Sequence, residues 1–184
     1  MRKAAEVSQV FDDVARDLGG PPNCVVVSAG INVLPAPLAK FDPKDFQRLV
    51  DVNLTGAFNV LSEAARRVPD NGTIIAITTS MVRHAVPGAG PYSATKAAVE
   101  CLVRSLAKEL AGRGVRVNAV APGPVDTDLF RNGKDEAALA RSAAMSPFNR
   151  VGRAEEVANV VAFLASAKAS WVHGQIIQPN GGMV

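Results

Sequence analysis

Cys24-Val25-Val26-Val27-Ser28-Ala29, residues 24–29, is the stretch on which the fold turns. Three β-branched residues in series, without polar alternation, specify a short strand covered on both faces. Strands of that kind belong to parallel sheets layered between helices. Upstream, Val7, Val10, Phe11, Val14 and Leu18 recur at helical spacing over residues 4–18, and Gly19-Gly20-Pro21-Pro22 stops the run. Downstream, Asp42-Pro43 opens a helical pattern over 43–67, with proline early, where the first turn tolerates it. Residues 73–78 repeat the buried-strand pattern with Ile74, Ile75 and Ile77. A Gly/Pro-rich loop over 80–91 leads into a helix over 92–111, which Gly112 and Gly114 end. Residues 115–121 form a third strand, broken by Pro122-Gly123-Pro124. A polar segment reaches Arg150 with a helix near 135–145, then come a helix over 155–165 and a short strand over 175–178. Strands alternating with helices predict an α/β fold: a doubly wound parallel sheet in three α/β/α layers, as one domain.

Composition narrows the function. The 184 residues are 48% hydrophobic and 20% charged, with a formal net charge of +3. The 20 basic residues are scattered among 17 acidic ones, in runs no longer than two, with one Trp and one Tyr to stack on bases. That pattern argues against nucleic acid. Cys24 and Cys101 stand alone and read as small hydrophobes, and His84 and His173 bear no spacing to them, so no metal site is expected. Met1-Arg2-Lys3 is followed by no apolar core of signal-peptide type, and no run is long enough to span a membrane. The expectation is a cytoplasmic protein.

The chemistry concentrates in Gly90-Pro91-Tyr92-Ser93-Ala94-Thr95-Lys96. On a helix, positions i and i+4 share a face, so Tyr92 and Lys96 are neighbours. A phenol of pKa about 10 is a poor proton carrier near neutrality, and an ammonium beside it favours the phenolate. Thr78, Thr79 and Ser80 lie just before this loop as candidate hydrogen-bond donors. Asn53 sits in mid-helix against its propensity, which a helix distortion or a bound water would explain.

Ser28-Ala29-Gly30 after a strand, Asn53 in a helix, Ser80 before a loop, Tyr92-x-x-x-Lys96, and Pro122-Gly123 with Thr127 occur in this order. Together with the closing Gln175-Ile176-Ile177-Gln178-Pro179-Asn180-Gly181-Gly182, they resemble the short-chain dehydrogenase/reductase family, including its 3-oxoacyl-carrier-protein-reductase-like members. The resemblance implies a Rossmann-like sheet and interconversion of a carbonyl and a secondary alcohol by hydride transfer with NAD(P)(H). Tyr92 would be the acid/base. Lys96 would lower the tyrosine pKa and hold the nicotinamide ribose. Ser80, favoured over its neighbour Thr79, would donate to the substrate oxygen, and Asn53 would anchor a water leading from Lys96. Ser28, Ala29, Gly30, Pro122, Gly123, Val125 and Thr127, with Asn53, Tyr92 and Lys96, would line the cofactor. Among reductase-like relatives the analogy favours NADP(H) over NAD(H), a small-molecule carbonyl or alcohol substrate, and a homodimer or homotetramer paired through the helices at 43–67 and 92–111.

Two departures accompany the resemblance. The family usually places two Asn before Ala-Gly, and here they are Val27 and Ser28. No glycine-rich turn of the dinucleotide-binding kind stands before Cys24, although such folds rest the pyrophosphate on one. The N-terminal βαβαβ half, roughly sixty residues, is therefore expected to be missing from this stretch. The 24–29 strand would then have an open apolar edge, and the stretch alone would grip a dinucleotide weakly. The principal reading is an oxidoreductase represented by a truncated chain. The alternative is a non-catalytic remnant that acts as a binding or dimerisation module.

Overall fold

The computed structural model describes residues 1–184. Helix α1 (Ala4–Leu18) leads to strand β1 (Cys24–Val27), then to α2 (Pro43–Leu49), a π-helical segment (Val50–Thr55) and α3 (Gly56–Arg67). Next come β2 (Thr73–Ile77), α4 (Gly90–Leu110), β3 (Arg116–Val120), the short helices α5 (Asp128–Arg131) and α6 (Glu136–Ala143), α7 (Ala154–Ala165) and β4 (Ile176–Ile177). The four strands form one parallel sheet in the order β1-β2-β3-β4. This is a Rossmann-like α/β arrangement, as the alternation of elements predicts.

Period-two alternation sorts the sheet into two faces. Ile74 and Ala76 of β2 and Val117 and Ala119 of β3 pack with Val7, Leu61, Val99 and Val103, under α1, α3 and α4. Ile75 and Val120 point the other way, with Leu164 of α7. The three layers expected from sequence are present.

Strand β1 departs from expectation. Val27 is buried and Val25 packs on the α1/α3/α4 side, but Val26 between them is 41% exposed. The run was expected to be covered on both faces. However, β1 ends the sheet order with β2 as its only partner, and α7 lies over β2 and β3. Val26 is left facing an open cleft.

The long helix is continuous from Pro43 to Arg67 but is widened at Val50–Thr55, where the π-helical segment carries Asn53. Asp42 caps its start by accepting from the Lys44 N–H at 2.8 Å. Arg113 closes its end, donating to the carbonyls of Ala65 and Val68. Helix α4 begins two residues before Tyr92, with Pro91 in its first turn. Tyr92 therefore stands at the helix entrance, above the C-terminal ends of the strands.

Candidate active site

Asn53 explains the π-helical segment. Its side chain is fully buried, with Oδ1 accepting the Ile31 N–H at 2.8 Å and Nδ2 donating to the Ile31 carbonyl at 2.9 Å. Nδ2 also lies 3.4 Å from Thr95 Oγ1 on α4. One amide thus clamps the loop after β1 to two helices, and the wider helical turn aims it there. The distortion anticipated at this asparagine is real.

Lys96 is buried, and its Nζ donates to the Ile77 carbonyl at 3.0 Å, at the end of β2. Gly30 makes room for it: a Cβ there would stand 3.1 Å from Nζ and 3.3 Å from Asn53 Oδ1. Burial lowers the lysine pKa from 10.5 to about 8. Burial also raises the Tyr92 pKa, opposed only by the nearby Thr79 side chain. The expectation that Lys96 depresses the tyrosine pKa needs correction on this geometry. Shared helical spacing brings the Cβ atoms together, but the four-carbon stem carries the ammonium to the strand end instead.

Ser80 also requires correction. It is fully buried, its hydroxyl donates to the Ala121 carbonyl at 2.7 Å, and it accepts from Asn180 Nδ2 at 3.1 Å. That hydroxyl is engaged by Ala121 and Asn180, and Ser80 does not line the cleft. Thr79 is the residue set against the phenol. The preceding Thr78 turns to α4 and lies 3.2 Å from the buried Glu100 Oε1, which Arg83 also contacts at 3.1 Å. Thr78 and Thr79 both line the cleft, but the Thr78 hydroxyl is engaged with Glu100, which leaves that of Thr79 beside Tyr92. Continuing the alternation of Ile75 and Ile77 by one step gives Thr79; that was the available signal.

The cleft measures about 660 Å³ and lies at the C-terminal ends of the strands. Of the residues expected to hold a cofactor, Ser28, Tyr92, Pro122, Gly123, Val125 and Thr127 line it. Ala29, Gly30, Asn53 and Lys96 do not line it: Gly30, Asn53 and Lys96 form the packed cluster behind the strand ends. Thr127 doubles as the cap of α5, accepting from the Phe130 N–H at 3.2 Å. An apolar wall that includes Met81, Leu129, Phe130, Met145 and Met183 completes the lining, and of these the tail residue Met183 carried no sequence signal. Lys134 is the single charged side chain among the lining residues.

This geometry can present a proton donor and a second hydroxyl to one oxygen at the rim of an apolar cleft. Gly30 and Gly123 are bare where a Cβ would press on Lys96 and Asn53, or on Asn180, so both glycines permit close packing behind the cleft.

Known proteins resemble the chain along its whole length. The profile of a family described as enoyl-(acyl carrier protein) reductase matches residues 1–184. A short-chain type dehydrogenase/reductase of Picea abies is 44% identical over 183 residues, covering 98% of this chain and 67% of the relative. An NADPH-dependent aldehyde reductase-like chloroplastic protein of Arabidopsis thaliana is also 44% identical over 183 residues, covering 98% and 68%. A 3-oxoacyl-acyl-carrier-protein reductase of Thermotoga maritima is 37% identical over 183 residues, covering 97% and 72%. The chain thus spans about two thirds of the length of these relatives. No helix is long and apolar enough to cross a membrane. The ordered motifs, the parallel sheet and these identities agree: the chain belongs to the short-chain dehydrogenase/reductase family of oxidoreductases.

Proposed function

We propose that the protein is an NADP(H)-dependent reductase of small carbonyl compounds, with Tyr92 as the acid/base. One observation carries this reading: Tyr92, at the entrance of α4, shares the cleft with Thr79. A phenol beside a second hydroxyl can hand its proton to a carbonyl oxygen placed against both.

A bound nicotinamide cofactor supplies the hydride that adds to the carbonyl carbon. Tyr92 gives its proton to the carbonyl oxygen, which becomes the alcohol, and the phenolate left behind regains a proton from solvent. Thr79 donates a hydrogen bond to the same oxygen, supporting the charge that develops there. Lys96, whose pKa of about 8 lies close to neutrality, holds the ribose side of the cofactor. Ser28, Pro122, Gly123, Val125 and Thr127 line the rest of that end, Ala29 and Gly30 lie in the loop behind it, and Asn53 fixes that loop at Ile31. The preference for NADP(H) rests on relatives named as NADPH-dependent.

The wall of the cleft supports a substrate with an apolar body, such as an aldehyde or ketone, since 14 of its 24 lining residues are hydrophobic. Pairing of two copies through the long helix is part of the same reading, supported by Phe46 and Phe58, which are 45% and 52% exposed.

The test is oxidation of NADPH by the intact protein with a panel of aliphatic and aromatic aldehydes and ketones, beside Tyr92→Phe. Turnover by the parent that Tyr92→Phe abolishes is the expected result. No turnover with any member, or equal turnover by the variant, contradicts the reading.

A further inference from the structure

Behind the cleft, three segments remote in sequence meet in one hydrogen-bonded knot. Ser80 donates to the Ala121 carbonyl through its hydroxyl, and its backbone N–H donates to the Pro122 carbonyl at 2.9 Å. Asn180 donates to that hydroxyl, while its Oδ1 accepts the N–H groups of Gly182 at 3.0 Å and Met183 at 3.2 Å. Next along the tail, the Gly181 carbonyl accepts from Ser146 Oγ at 2.7 Å. Ser146 follows α6, so the segment containing α5 and α6 is tied into the same knot.

The knot has little slack. A Cβ on Gly123 would lie 3.0 Å from Asn180 Cα and Cβ. Gly181, at φ +64, would place a Cβ 2.4 Å from Ser146 Oγ. Two walls of the cleft depend directly on it. Thr79 precedes Ser80, and Met183 is the tail residue that lines the cleft.

We infer that Asn180 is a positioning residue for the carbonyl chemistry. Through Ser80 it fixes the strand end that aims Thr79 at the Tyr92 phenol, so the register of the tail sets the donor geometry at the reacting oxygen. The inference rests on the reductase reading above. A donor held about 1 Å from its place costs roughly a hundredfold in rate, so a single buried link can govern turnover without touching substrate.

Asn180→Asp separates this role from simple anchoring of the tail. A carboxylate still accepts from Gly182 and Met183, but it cannot donate to Ser80, whose own proton is engaged with Ala121. Ser80→Ala removes the same link from the other side. Each variant is expected to lower kcat by roughly ten- to a hundredfold with KM within about twofold of the parent. The double variant is expected to lose no more than the worse single one, Ser80→Ala, which removes the bond to Ala121 together with the Asn180 link that both variants share. Parent-like kcat in a folded single variant, or multiplied losses in the double, overturns the inference. Loss of fold in both single variants also overturns it, because the knot would then serve folding alone. A parent protein without carbonyl turnover refutes the reductase reading and takes the positioning role with it.

Discussion

Replacing Lys96 by methionine removes an ammonium that α4 carries almost wholly out of water, and the structure sets the sign and size of the effect. Burial displaces the lysine pKa from 10.5 to about 8. At about 1.4 kcal/mol per pH unit, holding the charged form in the folded state costs about 3 kcal/mol at neutral pH. Methionine has similar bulk and avoids that cost, but it forfeits the hydrogen bond to the Ile77 carbonyl, a loss of about 1–2 kcal/mol. The net expectation is a variant about 1–2 kcal/mol more stable than the parent near neutrality, and inactive. The pH dependence gives the sharper signature. Between about 8 and 10.5 the unfolded lysine binds a proton that the folded one has released, so the parent gains stability as pH rises through this window. Above 10.5 the lysine is neutral in both states, and only the lost hydrogen bond separates the two proteins. Lys96→Met is then the less stable of the pair. Paired urea titrations near neutrality and above pH 10.5 read the crossover, because other titrating groups cancel in the difference. A variant that is less stable at both pH values by the same amount would refute the reasoning.

Three further outcomes follow from the same geometry. Thr79→Val deletes the hydroxyl beside Tyr92 at nearly constant volume, and kcat should fall roughly a hundredfold or more, while Thr79→Ser stays near the parent; steady-state kinetics decides. Since burial raises the Tyr92 pKa, carbonyl reduction should persist through neutral pH and decline on the alkaline side, whereas alcohol oxidation should rise there; opposite limbs in the two pH–rate profiles are the check. Gly72→Ala would place a Cβ 2.3 Å from Val68 Cγ1 and 2.9 Å from the carbonyls of Asn23 and Pro69. Backbone cannot yield as a side-chain end can, so a stability loss above about 2 kcal/mol is expected by thermal melting.

Periodicity carried most of the fold. The helices at Ala4–Leu18 and Pro43–Arg67 and the strand at Thr73–Ile77 lie where their apolar spacing puts them, since each buries one stripe or face. Val26 did not follow, because a β-branched run reports strand preference and not the number of neighbours a strand finds. The π-helical segment was foreshadowed by a costly asparagine in mid-helix, whose amide proves to hold Ile31. Long side chains were less legible. Spacing pairs Tyr92 with Lys96 at Cβ, yet where an ammonium ends is decided by the carbonyl it can reach, here that of Ile77. The choice between Thr79 and Ser80 turned on a single step of alternation at a strand end. The partners of Ser80, Ala121 and Asn180, lie 41 and 100 residues away, beyond any local pattern.

The central claim is that Tyr92 completes a hydride transfer to a carbonyl by protonating its oxygen. It is tested most directly with NADPH carrying deuterium at C4 of the nicotinamide, an aldehyde substrate, and the intact protein beside Tyr92→Phe. Alcohol labelled at the carbinol carbon is expected from the parent, and none above background from the variant. Alcohol formed without label, or labelled alcohol formed undiminished by Tyr92→Phe, would contradict it.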